Sequence, residues 1–190
     1  MDKPEKLPHL PGETPASMTL RTVGTIRNKV KEPFLAAGDS DIEMQGEIDA
    51  IKAEIRESYR EISEIVINKG IMNILDGIEE YSHLVVRYWA HKVTEQSRLL
   101  TRVHPMGRKD NPLVGIFCTC SPVRPNPVLM AVVRLRGKNE NVLRVSGLDA
   151  VDGSPVIDIK PYVKEFYPQG EVLIPKWMQK LCQEMGDCYE

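Results

Sequence analysis

Residues 20–26 alternate apolar with small or polar side chains, the two-residue period of a strand with one face turned inward. A loop holding Pro33, Phe34 and Leu35 follows. From Asp41 the period lengthens: Ile48, Ile51, Ile55, Tyr59 and Ile62 recur at three- and four-residue steps between Glu, Lys and Arg. That pattern predicts an amphipathic helix over 41–62, about five turns long. Its single apolar stripe needs a cover. The rest of the chain supplies one; the near-heptad spacing leaves open the same helix of a second copy. Beyond it, 64–68 reads as a strand, 71–75 as a short helix and 83–89 as a strong strand. A basic, loop-like stretch runs from Lys92 through His104-Pro105-Met106-Gly107. Strand patterns return at 113–119, 128–135, 141–145 and 156–159, and Pro175 opens a short terminal helix at its usual first-turn position.

Strands joined by non-helical links dominate this order. A doubly wound sheet needs regular strand–helix alternation and, for a dinucleotide, a Gly-rich loop after the first strand; neither is present. The pattern predicts a mainly β fold, a small antiparallel barrel, with one inserted helix and a short C-terminal helix.

Composition supports one domain: 190 residues, 42% of them hydrophobic, can bury a core. The 13 Gly and 14 Pro favour many short strands over a helix bundle. The domain reading is a mobile tail at 1–18, a barrel at 19–165 carrying the inserted helix at 41–62, and a C-terminal extension at 166–190. The tail is rich in Pro and Lys and lacks the apolar stretch of a signal peptide, and no run of about 18 apolar residues reads as a membrane span. A cytoplasmic location is the expectation that follows.

The 4 cysteines stand as Cys118-Thr-Cys120 and Cys182-x5-Cys188, spacings unlike paired zinc knuckles. They read as two buried strand thiols and two thiols near a fraying end, with a metal-sensing pair of cysteine clusters as the alternative. Charge is uneven under a net of −2: residues 39–80 carry 12 acids and 4 bases, residues 92–138 carry 9 bases and 2 acids. Such polarity can set a basic face opposite an acidic one. Ordinary solvated surfaces explain it equally well.

Two segments carry the chemistry. One is Gly115-Ile-Phe-Cys-Thr-Cys-Ser121-Pro122-Val-Arg124-Pro125-Asn126-Pro127. The other is Gly147-Leu-Asp149-Ala-Val-Asp152-Gly153-Ser-Pro155-Val-Ile-Asp158-Ile-Lys160-Pro161-Tyr162. In the first, three prolines stiffen a loop beside Arg124, whose planar guanidinium suits a carboxylate or phosphate; a plain structural turn is the competing reading. In the second, Asp149, Asp152, Asp158 and Lys160 crowd between apolar residues, either pairing among themselves or meeting a ligand. His91 and His104 flank loops, and neither is assigned to proton transfer.

These segments resemble the paired signatures of the TrmO (YaeB/TsaA-like) family. Val23-Gly-Thr-Ile26, Tyr81-Ser82-His83-Leu84, Trp89-Ala-His91 and Val103-His104-Pro105 add to the match. The resemblance implies a six-stranded, TsaA-like barrel that binds S-adenosylmethionine, a homodimer that completes the site, and methylation of N6 of N6-threonylcarbamoyladenosine beside a tRNA anticodon. It implies a cofactor site of Pro33, Phe34, Leu35, His91, Lys92, Cys120, Ser121, Pro125, Asn126, Pro127, Met130, Val145, Ser146, Gly147 and Leu148. Arg124, Asp149, Lys160 and Tyr162 are the candidates for catalysis, through substrate orientation; no metal site is implied. Arg98, Arg102, Arg108, Lys109, Arg124, Arg134, Arg136 and Lys138 are the candidate phosphate contacts. The chain departs from the family pattern at Cys120, where the family carries Arg, and at Leu129-Met130, which add bulk. A methyltransferase of the same barrel with a small-molecule substrate is the alternative function, and a non-enzymatic cofactor- or metal-binding dimer a third.

Overall fold

The computed structural model describes residues 18–37, 41–44 and 46–186. Strand β1 (Gly24–Arg27) is followed by a hairpin of β2 (Leu35–Ala37) and β3 (Ile42–Met44). Helix α1 (Ile48–Arg60) leads into β4 (Ser63–Ile67), and a 3-10 stretch over Lys69–Leu75 separates that strand from β5 (His83–Trp89). The short strands β6 (Arg102–Val103) and β7 (Val114–Gly115) pair with each other. Then come β8 (Val128–Asn139), β9 (Val142–Ser146), β10 (Pro155–Pro161) and helix α2 (Lys176–Met185).

Six strands close into a barrel in the order β1-β10-β5-β8-β9-β4, every pairing antiparallel. Alternation decides what faces inward. In β4, Ser63, Ile65 and Ile67 are buried while Glu64 and Val66 are less so. Ile26, Ile65, Leu84, Val86, Val133, Leu143, Val145 and Val156 are fully buried and meet along the axis. Each such side chain stabilises the fold by about 1.5–3 kcal/mol. A barrel of this size is filled by its own side chains, so room for a ligand lies at its end rather than inside. A satellite core of Ile42, Leu100, Val103, Ile116 and Val123, with Leu35 against it, anchors the β2–β3 hairpin to β6.

Four local expectations change. The first strand begins at Gly24, with Leu20 and Arg21 exposed. The helix starts at Ile48, because Asp41 serves as an anchor and turns 42–44 into a strand. Residues after β7 leave the strand, as Thr119 Oγ1 donates to the Ile116 carbonyl (2.8 Å) and closes a 3-10 turn over Ile116–Cys118. Cys118 and Cys120 are therefore exposed, not buried strand thiols. Pro175 sits at the N-cap of α2 rather than in its first turn. All but residue 18 of the expected mobile tail lies outside the described residues, as does Cys188.

Burial alone would raise the Asp41 carboxyl. Hydrogen bonds donated by Lys109 Nζ (2.5 Å), His104 N (3.0 Å), His104 Nδ1 (2.6 Å) and Ile42 N (2.9 Å) outweigh it and hold the pKa at about 2, down from 3.8. A carboxyl depressed in the folded state stabilises fully above its unfolded value of 3.8, and that stability is lost as pH falls toward about 2. Asp41→Asn is expected to cost about 2 kcal/mol at neutral pH and to flatten the acid limb of the melting curve. An acid limb parallel to wild type in thermal melts from pH 6 to 2 would show that Asp41 is no such anchor (roughly the interval spanned by the two pKa values).

Candidate functional site

At one end of the barrel the loops after β1, β5 and β9 converge with the turn before β8. Together with α1 and α2 they enclose a cavity of about 480 Å³. That size falls in the range of about 300–1,000 Å³ typical of pockets for small molecules and cofactors. Its wall is mainly apolar: Phe34 and Leu35 on one side, Ile51 and Ile55 of α1 on another, Leu129 and Ala150 at the barrel rim. The stripe of α1 thus finds its cover within the chain, through Ile51 and Ile55, while Ile62 falls beyond the helix and is exposed.

Hydrogen bonds fix the rim. Asn28 N donates to Asp152 Oδ1 (3.0 Å) and Asn28 Nδ2 to the Ala150 carbonyl (2.8 Å), while Lys31 pairs with Asp152 (2.7 Å). The loops after β1 and β9 are so held edge to edge. On the third side, Val123 N donates to Ser121 Oγ (3.1 Å), and Arg124 Nη2 donates to the Thr119 carbonyl (3.1 Å). The Arg124 guanidinium lies 5.8 Å from the centroid of Phe117, a side chain that is 78% exposed. The Arg124 Nε is buried without a hydrogen-bond partner among the described residues.

Among the sequence-derived candidates, Pro33, Phe34, Leu35, His91, Lys92, Cys120, Ser121 and Asp149 share this one cavity wall. Others stand elsewhere, for reasons of strand geometry. Val145 and Leu148 belong to the barrel core, and Ser146 accepts from Arg136 Nε (2.8 Å). Gly147, at φ 81°, makes the turn that carries the chain from β9 to Asp149. Met130 lies on the outer face of β8, 56% exposed beside Val132. Pro125, Asn126 and Pro127 do not line the cavity, the Pro127 carbonyl instead accepting from Ala90 N (2.8 Å). Lys160 and Tyr162 lie toward the far end of β10, where Lys160 is paired in register with Val85 and Tyr162 stacks on Tyr167 at 4.8 Å. Asp158 pairs with Arg87 (3.0 Å), so Lys160 is not its partner.

Sequence patterning missed one wall entirely. Trp177, Met178, Leu181 and Met185 of α2 face the cavity. The four-residue spacing of Trp177, Leu181 and Met185 is the only local signal, and it says amphipathic helix without saying what the apolar face covers.

Two titratable groups give the cavity its electrostatics. Asp149 faces the open cavity and is accessible through it, yet protein surrounds it, and the lost hydration raises its pKa. No ion pair reaches its carboxylate among the described residues. Its backbone carbonyl accepts a hydrogen bond from the Tyr88 hydroxyl. His91 touches Ser154 Oγ (3.2 Å), and burial, then the charge of Lys92, pushes its pKa below the usual imidazole value. At neutral pH it is an uncharged hydrogen-bonding wall residue. Lys92 itself pairs with Glu32 (2.9 Å). An apolar chamber with one unneutralised carboxylate fits a ligand that is largely apolar and carries positive charge. Among the described residues no three His, Cys, Asp or Glu side chains gather as metal ligands. No described helix is long and apolar enough to cross a membrane.

Comparison with known proteins agrees with this architecture. A protein of Methanothermobacter thermautotrophicus described as a probable S-adenosyl-L-methionine-binding protein is 40% identical over 146 residues, covering 77% of this chain and 90% of that protein. The Escherichia coli tRNA (adenine(37)-N6)-methyltransferase is 30% identical over 152 residues, covering 78% of this chain and 59% of the enzyme. The crystal structure of TrmO from Pseudomonas aeruginosa shares the fold, with a TM-score of 0.60 at 23% identity over 85% of this chain and 62% of that one. The chain thus spans about three fifths of the length of these last two proteins. The sequence signature of the tRNA-methyltransferase O N-terminal domain matches residues 52–167, from within α1 through the end of the barrel. The chain therefore belongs to the tRNA-methyltransferase O (TrmO) family.

Proposed function

We propose that the cavity holds S-adenosylmethionine and that the protein is a methyltransferase acting on N6 of N6-threonylcarbamoyladenosine beside the anticodon of tRNA. The observation that carries the donor assignment is Asp149, a carboxylate without an ion pair among the described residues in a mainly apolar cavity of about 480 Å³ that Phe34 also lines. The methyl donor brings an apolar adenine, a sulfonium and an ammonium, the charges such a site lacks. Relatives named for S-adenosylmethionine binding support the same reading, and the Escherichia coli relative supports a tRNA adenine as acceptor.

S-adenosylmethionine supplies a methyl group already activated by its sulfonium, so the protein's task is to position the acceptor and keep water out. Apolar walls from Phe34, Ile51 and Leu129 exclude water. Asp149 offsets the donor's charge. The carbamoyl substituent makes the acceptor N6–H more acidic than an ordinary exocyclic amine, so the transfer needs no strong base. Arg124 and the exposed Phe117 beside it do not line the cavity, and in this reading they meet the incoming nucleotide from the Thr119–Val123 side. Arg108, Lys109 and Lys138 are engaged by acids, whereas Arg98, Arg102, Arg134 and Arg136 form no ion pair among the described residues. Of these, Arg134 and Arg136 are exposed, Arg136 donating to Ser146, while Arg98 lies over Trp89 and donates to the Val93 carbonyl and Arg102 donates to the Leu113 carbonyl.

In this reading the active form is a homodimer. Pro125, Asn126, Pro127, Met130, Lys160 and Tyr162 stand outside the chain's own cavity, and Met130 with Val132 gives the outer barrel face an apolar patch suited to a second copy.

Arg124→Ala is expected to lower methyl transfer to tRNA at least about tenfold, the effect of one lost charge-assisted contact, with an unaltered circular dichroism spectrum. Unchanged turnover would remove Arg124 from the site. The full reading is tested by incubating the protein with methyl-labelled S-adenosylmethionine and tRNA from cells lacking its gene, then digesting to nucleosides for mass spectrometry. Label in N6-methyl-N6-threonylcarbamoyladenosine is the expected result. Label in another nucleoside, or none, would refute the substrate.

A further inference from the structure

We infer that α2 is a wall of the donor site and a latch on it: Trp177, Leu181 and Met185 contact the bound donor, and the Arg108–Glu184 ion pair governs how fast it leaves. This rests on the donor reading above and adds residues lying beyond the family-matched segment, which ends at 167.

Three observations carry it. First, α2 turns one face to the cavity: Trp177, Leu181 and Met185, at four-residue steps, line it together with Met178. On a helix these positions form one stripe, while Gln179 and Gln183 stand exposed on other faces. Met185 is only 5% exposed. Second, the helix is held on its cavity side and at its far end rather than by the chain that leads into it. The segment before it is extended and exposed, with Val172 at 71% and Leu173 at 85%, so its position depends on the cavity side. Third, the far end is clamped. Arg108 donates from Nη1 to Glu184 Oε2 (2.5 Å) and from Nη2 to Asp110 Oδ2 (2.7 Å), and Lys180 approaches both Asp110 (3.6 Å) and Glu184 (3.8 Å). Arg108 closes the turn that contains Met106, another wall residue. The clamp therefore joins two walls of the same chamber, and its opening would separate them.

A helix so placed has a thermodynamic consequence. Met185 is already buried, but Trp177 and Leu181 are only partly so and face the chamber, so a ligand that fills it adds contacts to them. The donor and the closed latch then favour each other, and loosening either weakens the other.

Trp177 supplies the probe. Of the 2 tryptophans, Trp89 is removed as Trp89→Phe, leaving Trp177 as the sole indole. Stopped-flow fluorescence of this full-length protein is followed with S-adenosylmethionine and with S-adenosylhomocysteine, neither experiment requiring turnover. Binding is expected to change Trp177 emission. Adding Leu181→Ala is expected to raise Kd about tenfold for both ligands, as expected for three lost apolar carbons at a contact. Adding Glu184→Gln, which leaves the wall intact, is expected to raise the dissociation rate about fivefold or more, the size of a hydrogen-bonded charge pair at a partly buried site. Gln183→Ala, on the outer face, is expected to match its parent. Ligand binding whose Kd and dissociation rate are the same in all four proteins would overturn the latch while leaving the donor site standing. Failure of the parent to bind either ligand, by calorimetry as well as fluorescence, would overturn the donor reading and the latch with it.

Discussion

Asp149→Asn is expected to weaken S-adenosylmethionine binding about a hundredfold while the donor-free protein melts at or above the wild-type temperature. The two effects have opposite signs because they share one cause. In the donor-free protein the carboxylate opens onto the cavity, but the protein around it strips part of its hydration, which raises its pKa, and no ion pair reaches it among the described residues. A carboxyl raised on folding holds its proton to higher pH than it does in the unfolded chain. Stability is then greatest at acid pH and falls as pH climbs from 3.8 through the raised value, a decline absent from the Asn variant. A cationic donor works against that decline. It prefers the ionised carboxylate, so its affinity rises over the same pH interval, and calorimetry in buffers of different ionisation enthalpy should register a proton released on binding. S-adenosylhomocysteine, which lacks the sulfonium charge, should show a smaller loss in the variant. Equal affinity of wild type and Asp149→Asn for both ligands would contradict the assignment. His91 and Lys92 face the same cavity; His91 is held neutral at pH 7 by burial and its charged neighbour, and Lys92 is paired with Glu32. Neither supplies the pH dependence assigned to Asp149.

Gly107→Ala is the second large effect, and it is steric. Gly107 has φ +67°, and a Cβ there would stand 2.3 Å from the Ile42 carbonyl oxygen and 3.0 Å from its carbon. Both are backbone atoms of β3 and cannot rotate away. Left-handed backbone costs an L-residue about 1–2 kcal/mol, and forcing β3 outward adds about 1–3 kcal/mol of overpacking. A loss of about 3 kcal/mol, and a melting temperature lower by about 10 °C, is expected for a chain of this length. The displacement would also reach function. Ile42 lies in both the satellite core and the cavity wall, and Met106 is the preceding residue, so donor affinity should fall with stability. A variant as stable as wild type in urea would mean that the turn and β3 do not meet as described.

Much of the barrel was legible because its strands obey one rule. Strand β5 spans His83–Trp89, as its alternation predicts, and Leu84, Val86 and Tyr88 point inward. The β2–β3 hairpin was not legible, since strands of three residues are too short to display a period. Its formation depends on Asp41, whose partners His104 and Lys109 lie over sixty residues away. For the same reason the start of α1 could not be read locally: the acidic 41–47 stretch is as polar as a helix face, and only the distant partners of Asp41 hold its beginning as strand.

At the site, motif reading gathered Phe34, His91, Cys120, Ser121 and Asp149, which stand around one chamber. It also gathered neighbours in sequence that strand geometry sends elsewhere. Along β9 and the turn after it, Val145 and Leu148 enter the core, and Asp149, Ala150 and Val151 reach the cavity wall. Along β8, Leu129 meets the cavity while Met130 faces out. A contiguous motif thus marks a region, and the two-residue period decides which of its members can touch a ligand. The contribution of α2 could not be read at all, because nothing local in an amphipathic helix names the surface it covers.

In the proposed reading the chamber at the barrel's end, between Phe34, Asp149 and Leu181, is the donor site. It is tested most directly by the crystal structure of the protein grown with saturating S-adenosylhomocysteine. One ligand is expected in that chamber, in contact with the Leu181 face of α2 and within hydrogen-bonding reach of the Asp149 carboxylate. Ligand density at any other place on the molecule, with this chamber empty, would contradict it.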